Sequence, residues 1–159
     1  MANTREHRYV VTVSWTGNLG SGTSGHRDYA PDCEMAAEGK PVIPGSADPA
    51  FRGDRSRWNP EELLVASLSA CHQLSYLYLA AAAGIVVTAY SDRAEGVMEL
   101  TPAGVGRFKS VTLHPTVTVK AGGDTGQARA LHERAHELCF IANSVNFHVG
   151  CEPEIKTEG

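Results

Sequence analysis

The chain has 159 residues, of which 42% are hydrophobic and 20% charged, with a formal net charge of −4. That length suits one compact domain, and the composition excludes a disordered chain. The acidic balance, without any block of like charge, excludes a surface built for nucleic acid or for an anionic membrane.

The opening MANTREHRYVVTV holds no apolar run followed by a small-residue cleavage site. No signal peptide is therefore expected, and the expected compartment is the cytoplasm. Tyr9, Val11, Val13 and Trp15 alternate with Val10, Thr12 and Ser14, which predicts a strand over Arg8 to Trp15. The following Gly17 to Gly25 contains a formal G-x-G-x-x-G from Gly20 to Gly25. A dinucleotide site needs a helix to begin there, and HRDYAPD has no helical period, so a turn is expected. Residues 26–58 read as short strands and loops broken by Pro31, Pro41, Pro44 and Pro49.

A long helix is expected from Asn59. Asn59 suits the N-cap, Pro60 the first helical position, and Glu62 the capping-box position three residues after the cap. Glu61 and Glu62 both favour the positive end of the helix dipole, which leaves Glu61 available for other work. No charged residue lies between Glu62 and Asp92, and Leu63 to Ala83 is long enough to cross a bilayer. However, Ser67, Ser69, His72, Gln73, Ser75, Tyr76 and Tyr78 fall inside it, and no Lys/Arg cluster flanks it. The reading is a helix buried on most sides without a membrane, with dimerisation supplying the cover that a small domain lacks.

Gly84 stops this helix, and Ile85 to Tyr90 is β-branched. Strands are expected at Val97 to Leu100 and Phe108 to Val119, with a turn at Gly104 and Gly106. Asp124 or Thr125 caps a second helix running to about Ile141, and Ser144 to Ile155 closes with a strand. Strand runs with two separated helices fit an α+β domain.

Four cysteines, Cys33, Cys71, Cys139 and Cys151, include no C-x-x-C. In a reducing compartment each is a buried apolar residue or a working thiol. On physical grounds Cys71 fits core filler and nucleophile equally, because a thiol needs a nearby cation or donors to become a thiolate. His72 is its neighbour in sequence, yet helix neighbours point about 100° apart. In the second helix, His132-Glu133-Arg134-Ala135-His136 matches the zinc-protease pattern H-E-x-x-H. A zinc hydrolase would need a third ligand, and neither His148 nor Glu152 falls in a downstream signature. The plainer reading is two solvated or hydrogen-bonded helix histidines.

The segments NPEELLVASLSACH around Cys71, AHELCFIANSV around Cys139, the Gly84-Ile85 step and FKSVTLHPTVTV together resemble the OsmC/Ohr family of thiol-dependent hydroperoxide reductases. The 68-residue separation of Cys71 and Cys139 also suits that family. The resemblance implies a single OsmC-like α+β domain over residues 1–159. It also implies an intertwined homodimer with two long central helices and curved antiparallel sheets. It implies a cofactor-free peroxidase in which Cys71 is the peroxidatic cysteine and Cys139 the resolving one. A dithiol reductant, a lipoyl-protein or small thiol, would recycle both.

By the same resemblance, Glu61 holds an arginine against the thiolate. Alignment backward from Glu61 puts Ala50 near the arginine position of one subgroup, so Arg52, two residues away, is favoured over Arg27 and Arg55. Ten residues of straight helix separate Glu61 from Cys71 by about 15 Å. The helix must then bend or be interrupted before Cys71, or the arginine pairs with Glu61 only in some states. Leu74, Tyr78, Phe140 and Phe147 are candidates to line an organic-peroxide pocket, with core packing as the alternative for each. A second function class is a ligand- or partner-binding protein of the same fold with weak or no peroxidase activity.

Overall fold

A computed structural model describes residues 4–159. The chain gathers into two compact units that meet in sequence at Leu63/Leu64, where one domain over 1–159 is expected. In the first unit, β1 (Thr12–Trp15), β2 (Cys33–Ala36) and β3 (Ile43–Gly45) form an antiparallel meander in the order β1-β2-β3. Trp15 pairs with Cys33, and Cys33 with Gly45. The strand expected from Arg8 begins only at Thr12, because β2 ends opposite it at Ala36 and offers no further ladder.

The glycine-rich segment is a turn, as expected. Asn18 Oδ1 accepts from the backbone N–H of Gly20 and of Gly22, at 2.9 and 3.0 Å. No helix follows it, so no helix N-terminus is available for a pyrophosphate.

Helix α1 (Pro60–Ala82) runs across the boundary between the units. Its start is the anticipated capping box: Glu62 N–H donates to Asn59 Oδ1 at 2.8 Å, and Asn59 N–H donates to Glu62 Oε2 at 3.3 Å. Asn59 is buried, so its replacement also strands amides that water cannot reach. Asn59→Ala is expected to cost about 1 kcal/mol of unfolding free energy in a urea titration. At the other end, Gly84 takes φ +73°, and Ile85 N–H closes back on the Ala80 carbonyl at 2.9 Å. That bond occupies the Ile85 amide, so β4 (Val87–Asp92) begins two residues later than the β-branched run suggests.

The second unit holds two three-stranded sheets. One has the order β4-β7-β9, with β7 at Pro115–Val119 and β9 at Glu154–Thr157. The other has the order β5-β6-β8, with β5 at Glu95–Leu100, β6 at Gly106–Leu113 and β8 at His148–Cys151. The single strand expected from Phe108 to Val119 is thus divided between two sheets. Pro115 has no N–H to continue a ladder, and the preceding His114 N–H leaves it to donate to Asp92 Oδ1 at 2.7 Å. Both sheets are mixed where antiparallel ones are expected, since β6 pairs β8 and β7 pairs β9 in parallel. Helix α2 (Thr125–Leu138) lies between these partners in sequence, and such a crossover permits parallel pairing.

Helix α1 packs through one stripe, Leu68, His72, Tyr76 and Ala80, spaced by four. Leu68 joins Val111, Leu113 and Val149 in one core cluster. Tyr76 and Ala80 join Ile85, Val117, Val119, Ala128 and Ala135 in the other. Each half of the stripe therefore serves a different sheet, which fixes α1 along both. Burial on most sides is not met within one chain: Leu74 and Tyr78 are 69% and 71% exposed. By length and composition α1 could cross a bilayer, but its packed stripe carries a buried histidine and tyrosine.

Helix α2 is capped by Asp124, whose Oδ1 accepts from Gln127 N–H at 2.9 Å. It ends at Leu138, three residues short of the expected Ile141. Cys139 turns extended, at φ −74° and ψ 105°, and a short 3-10 turn at Ala142–Ser144 follows.

Candidate functional site

The stop of α2 places Cys139. It is the C-cap residue, 1% exposed, and its Sγ accepts from the Ala142 N–H at 3.5 Å. Cys71, half-buried on α1, is near enough to raise the Cys139 thiol. All four cysteines are free thiols. Burial pushes the Cys139 thiol up to about 11; the Ala142 amide opposes this, and the Cys71 thiol and its charge add to it. Cys139 is thus held protonated at neutral pH, while Cys71 is the more accessible sulfur of the pair.

This shift has a consequence for stability. In the unfolded chain Cys139 ionises near 9.0, and in the folded protein only near 11. The folded state keeps its proton longer, so the stabilisation is complete below pH 9 and is lost as pH rises toward 11. Between pH 8 and 11 the wild-type protein is expected to lose about 2 kcal/mol more than Cys139→Ala in urea titrations.

Glu61 and Arg52 belong to the first unit. Glu61 Oε2 is buried without a hydrogen-bond partner, and no ion pair involves Glu61 among the described residues. Arg52 ends a 3-10 turn at φ +68°, a left-handed conformation rare for a side-chain-bearing residue. Its guanidinium donates to the Tyr29 carbonyl at 3.1 Å and lies 5.8 Å from the Tyr29 ring centroid. Arg57 is taken by Asp32 and Asp54, at 3.6 and 3.9 Å, whereas Arg27 and Arg55 are exposed. The structure therefore does not bring Arg52 to Glu61. Nor is α1 interrupted: it runs as one α-helix through both Glu61 and Cys71, which keeps the two about 15 Å apart along its axis.

Of the four apolar pocket candidates, Phe147 packs on Phe108 with ring centroids 5.4 Å apart and lies against a core cluster. Leu74, Tyr78 and Phe140 are exposed. Leu74 and Tyr78 stand three and seven residues after Cys71, on its face of α1, and Phe140 follows Cys139.

His132 does not pair with His136 as H-E-x-x-H chemistry requires. It is buried, and its Nδ1 faces His72 Nε2 at 2.9 Å, while His136 is exposed. Cys151 Sγ approaches the same two nitrogens at 3.7 and 3.8 Å. Burial first, and neighbouring positive groups after it, hold His132 down to about 4; burial likewise lowers His72. Cys151 is pushed up to about 12 by burial and by Asp92 and Glu152. Sequence reasoning left Cys151 to burial and read His72 as the neighbour of Cys71 and as a polar residue that argues against a membrane span. The available signal was a histidine inside the apolar stripe of α1, four residues from Leu68 and from Tyr76.

A family model described as OsmC-like protein matches residues 53–154. No curated protein matches the chain. An OsmC-like protein of unknown function from Vibrio cholerae O1 biovar eltor has a similar structure, with a TM-score of 0.84 at 29% identity over 93% of this chain and 99% of that one. An organic hydroperoxide resistance protein OsmC from Legionella pneumophila gives 0.68 at 20% identity, over 96% and 99%. An organic hydroperoxide resistance protein from Elizabethkingia anophelis gives 0.68 at 18%, over 97% and 100%. At such identities the last two establish likeness of fold alone.

Proposed function

Because the chain belongs to the OsmC-like family, we propose that it is a cytoplasmic thiol peroxidase acting on hydroperoxides, organic ones above all. The nearness of Cys71 to Cys139, 68 residues apart in sequence, carries this reading. The Cys71 thiolate attacks the outer oxygen of ROOH. The O–O bond breaks, ROH leaves with a proton, and Cys71 becomes a sulfenic acid. The Cys139 thiol then displaces that hydroxyl as water and forms the Cys71–Cys139 disulfide. A dithiol, a lipoyl-protein or a small thiol, then supplies two electrons and two protons to restore both residues. No cofactor is needed.

Arg52 stays the proposed cation, and pairing with Glu61 requires it to leave Tyr29. The unpartnered Oε2 of Glu61 supports a guanidinium partner there in another state. The exposed Leu74 and Tyr78 support a homodimer formed through α1. The arrangement of Arg52 also favours a second reading, a binding protein of the same fold with weak or no peroxidase activity. Mass spectrometry after one equivalent of cumene hydroperoxide separates the two. A peptide pair joined through Cys71 and Cys139 is expected, whereas four unmodified thiols would favour the binding protein.

A further inference from the structure

The thiol pair does not use the second cluster of chemical groups, in which His72 of α1, His132 of α2 and Cys151 of β8 converge. Their facing atoms, His72 Nε2, His132 Nδ1 and Cys151 Sγ, all lie within 4.8 Å of one another. We propose that these three residues form a zinc site, holding one Zn²⁺ per chain through two imidazole nitrogens and one thiolate.

The spacings fit that ion. With Zn–N near 2.0–2.1 Å and Zn–S near 2.3 Å, tetrahedral angles require about 3.4 Å between the nitrogens and about 3.6 Å from nitrogen to sulfur. The observed nitrogen–sulfur distances are 3.7 and 3.8 Å. The nitrogens stand at 2.9 Å, so they need to open by only about half an ångström. Two imidazoles and a thiol are soft donors, which selects zinc over magnesium or calcium.

The framework is already rigid. Tyr76 stacks on His132 with centroids 4.0 Å apart, and its hydroxyl donates to the Ala128 carbonyl at 3.0 Å. His72 is 1% and His132 4% exposed, so both are fixed by packing. Coordination requires each ring to carry its proton on the outer nitrogen, His72 Nδ1 or His132 Nε2. The 2.9 Å bond between the inner nitrogens places the proton of one ring on its inner nitrogen, so binding moves that proton to the outer nitrogen, which has no competing partner among the described residues. An ion can reach the site, because a cleft of about 890 Å³ has His132 and Cys151 in its wall. On binding, the Cys151 S–H proton passes to solvent and the His72–His132 hydrogen bond gives way to two Zn–N bonds. The fourth position is left for water.

The test uses the full chain, stripped by chelator and titrated with ZnCl₂ alone in a calorimeter under reducing conditions. One equivalent is expected. Cys151→Ala and His72→Asn should each weaken binding by at least about a hundredfold. His136→Ala and the double variant Cys71→Ser, Cys139→Ser should bind as the wild type does. These arms separate the site from the H-E-x-x-H pair and from the redox thiols, so the result stands apart from the peroxidase reading. Should a variant fail to fold, Co²⁺ added to the wild type provides a second readout: a thiolate-to-metal charge-transfer band is expected. Absence of that band, absence of a stoichiometric zinc site, or undiminished binding in folded Cys151→Ala would overturn the proposal.

Discussion

Cys71→Ser is expected to abolish steady consumption of cumene hydroperoxide in the presence of a dithiol, a fall of at least about a thousandfold. A serine hydroxyl is not ionised at neutral pH and does not attack an O–O bond. The other sulfur of the pair cannot stand in for it. Cys139 is 1% exposed and its thiol is held up to about 11, so it meets peroxide as a buried, protonated group. Cys139→Ser has a different expected outcome. Cys71 still reacts once, one equivalent of alcohol appears per chain, and the reaction stalls at the sulfenic acid, which a dimedone adduct on Cys71 reports. Steady turnover by Cys71→Ser, or full turnover by Cys139→Ser with a dithiol as the sole reductant, would require another pair of atoms to carry the chemistry.

Local signals in the chain were legible because they are satisfied within a few residues. Asn59 and Glu62 close their capping box across three positions, and Gly84 ends α1 by a conformation that few other residues adopt. Long-range relations have no local signal, and the expected pairing of Cys71 with Cys139 came from the resemblance alone. Where neither kind of signal existed, reading failed. The cluster of His72, His132 and Cys151 joins three elements across 60 and 79 residues, and no spacing rule connects them. The local H-E-x-x-H pattern pointed to His136 instead, although a buried Ala135 and an exposed His136 show that α2 turns that residue outward. The division of Phe108 to Val119 into β6 and β7 follows from Pro115, a visible signal outweighed by the β-branched run around it. The burial of α1 was overestimated because composition describes how apolar a helix is, not how many of its faces one chain covers.

That last point bears on the second large effect, the contrast between Leu68→Ala and Leu74→Ala, six residues apart on the same helix. Leu68 is fully buried against Val111, Leu113 and Val149. Its truncation removes apolar contact and leaves a void between a helix and a sheet that are both held elsewhere, by Tyr76 on one side and by the β6–β8 ladder on the other. Little collapse is possible, so a cost of about 3–4 kcal/mol is expected, a large share of the stability of a domain this size. Leu74 is 69% exposed within one chain, and its truncation there should change stability by less than about 0.5 kcal/mol. If a second copy covers α1, however, Leu74→Ala removes buried contact from the interface. Its cost then depends on protein concentration, because association adds to stability by mass action. Urea titrations of both variants at two concentrations a hundredfold apart check this. Leu68→Ala should show a large loss at both, and Leu74→Ala a loss only where the wild type is dimeric. A Leu74→Ala protein indistinguishable from wild type at both concentrations, and equally dimeric by sedimentation, would remove that residue from any interface.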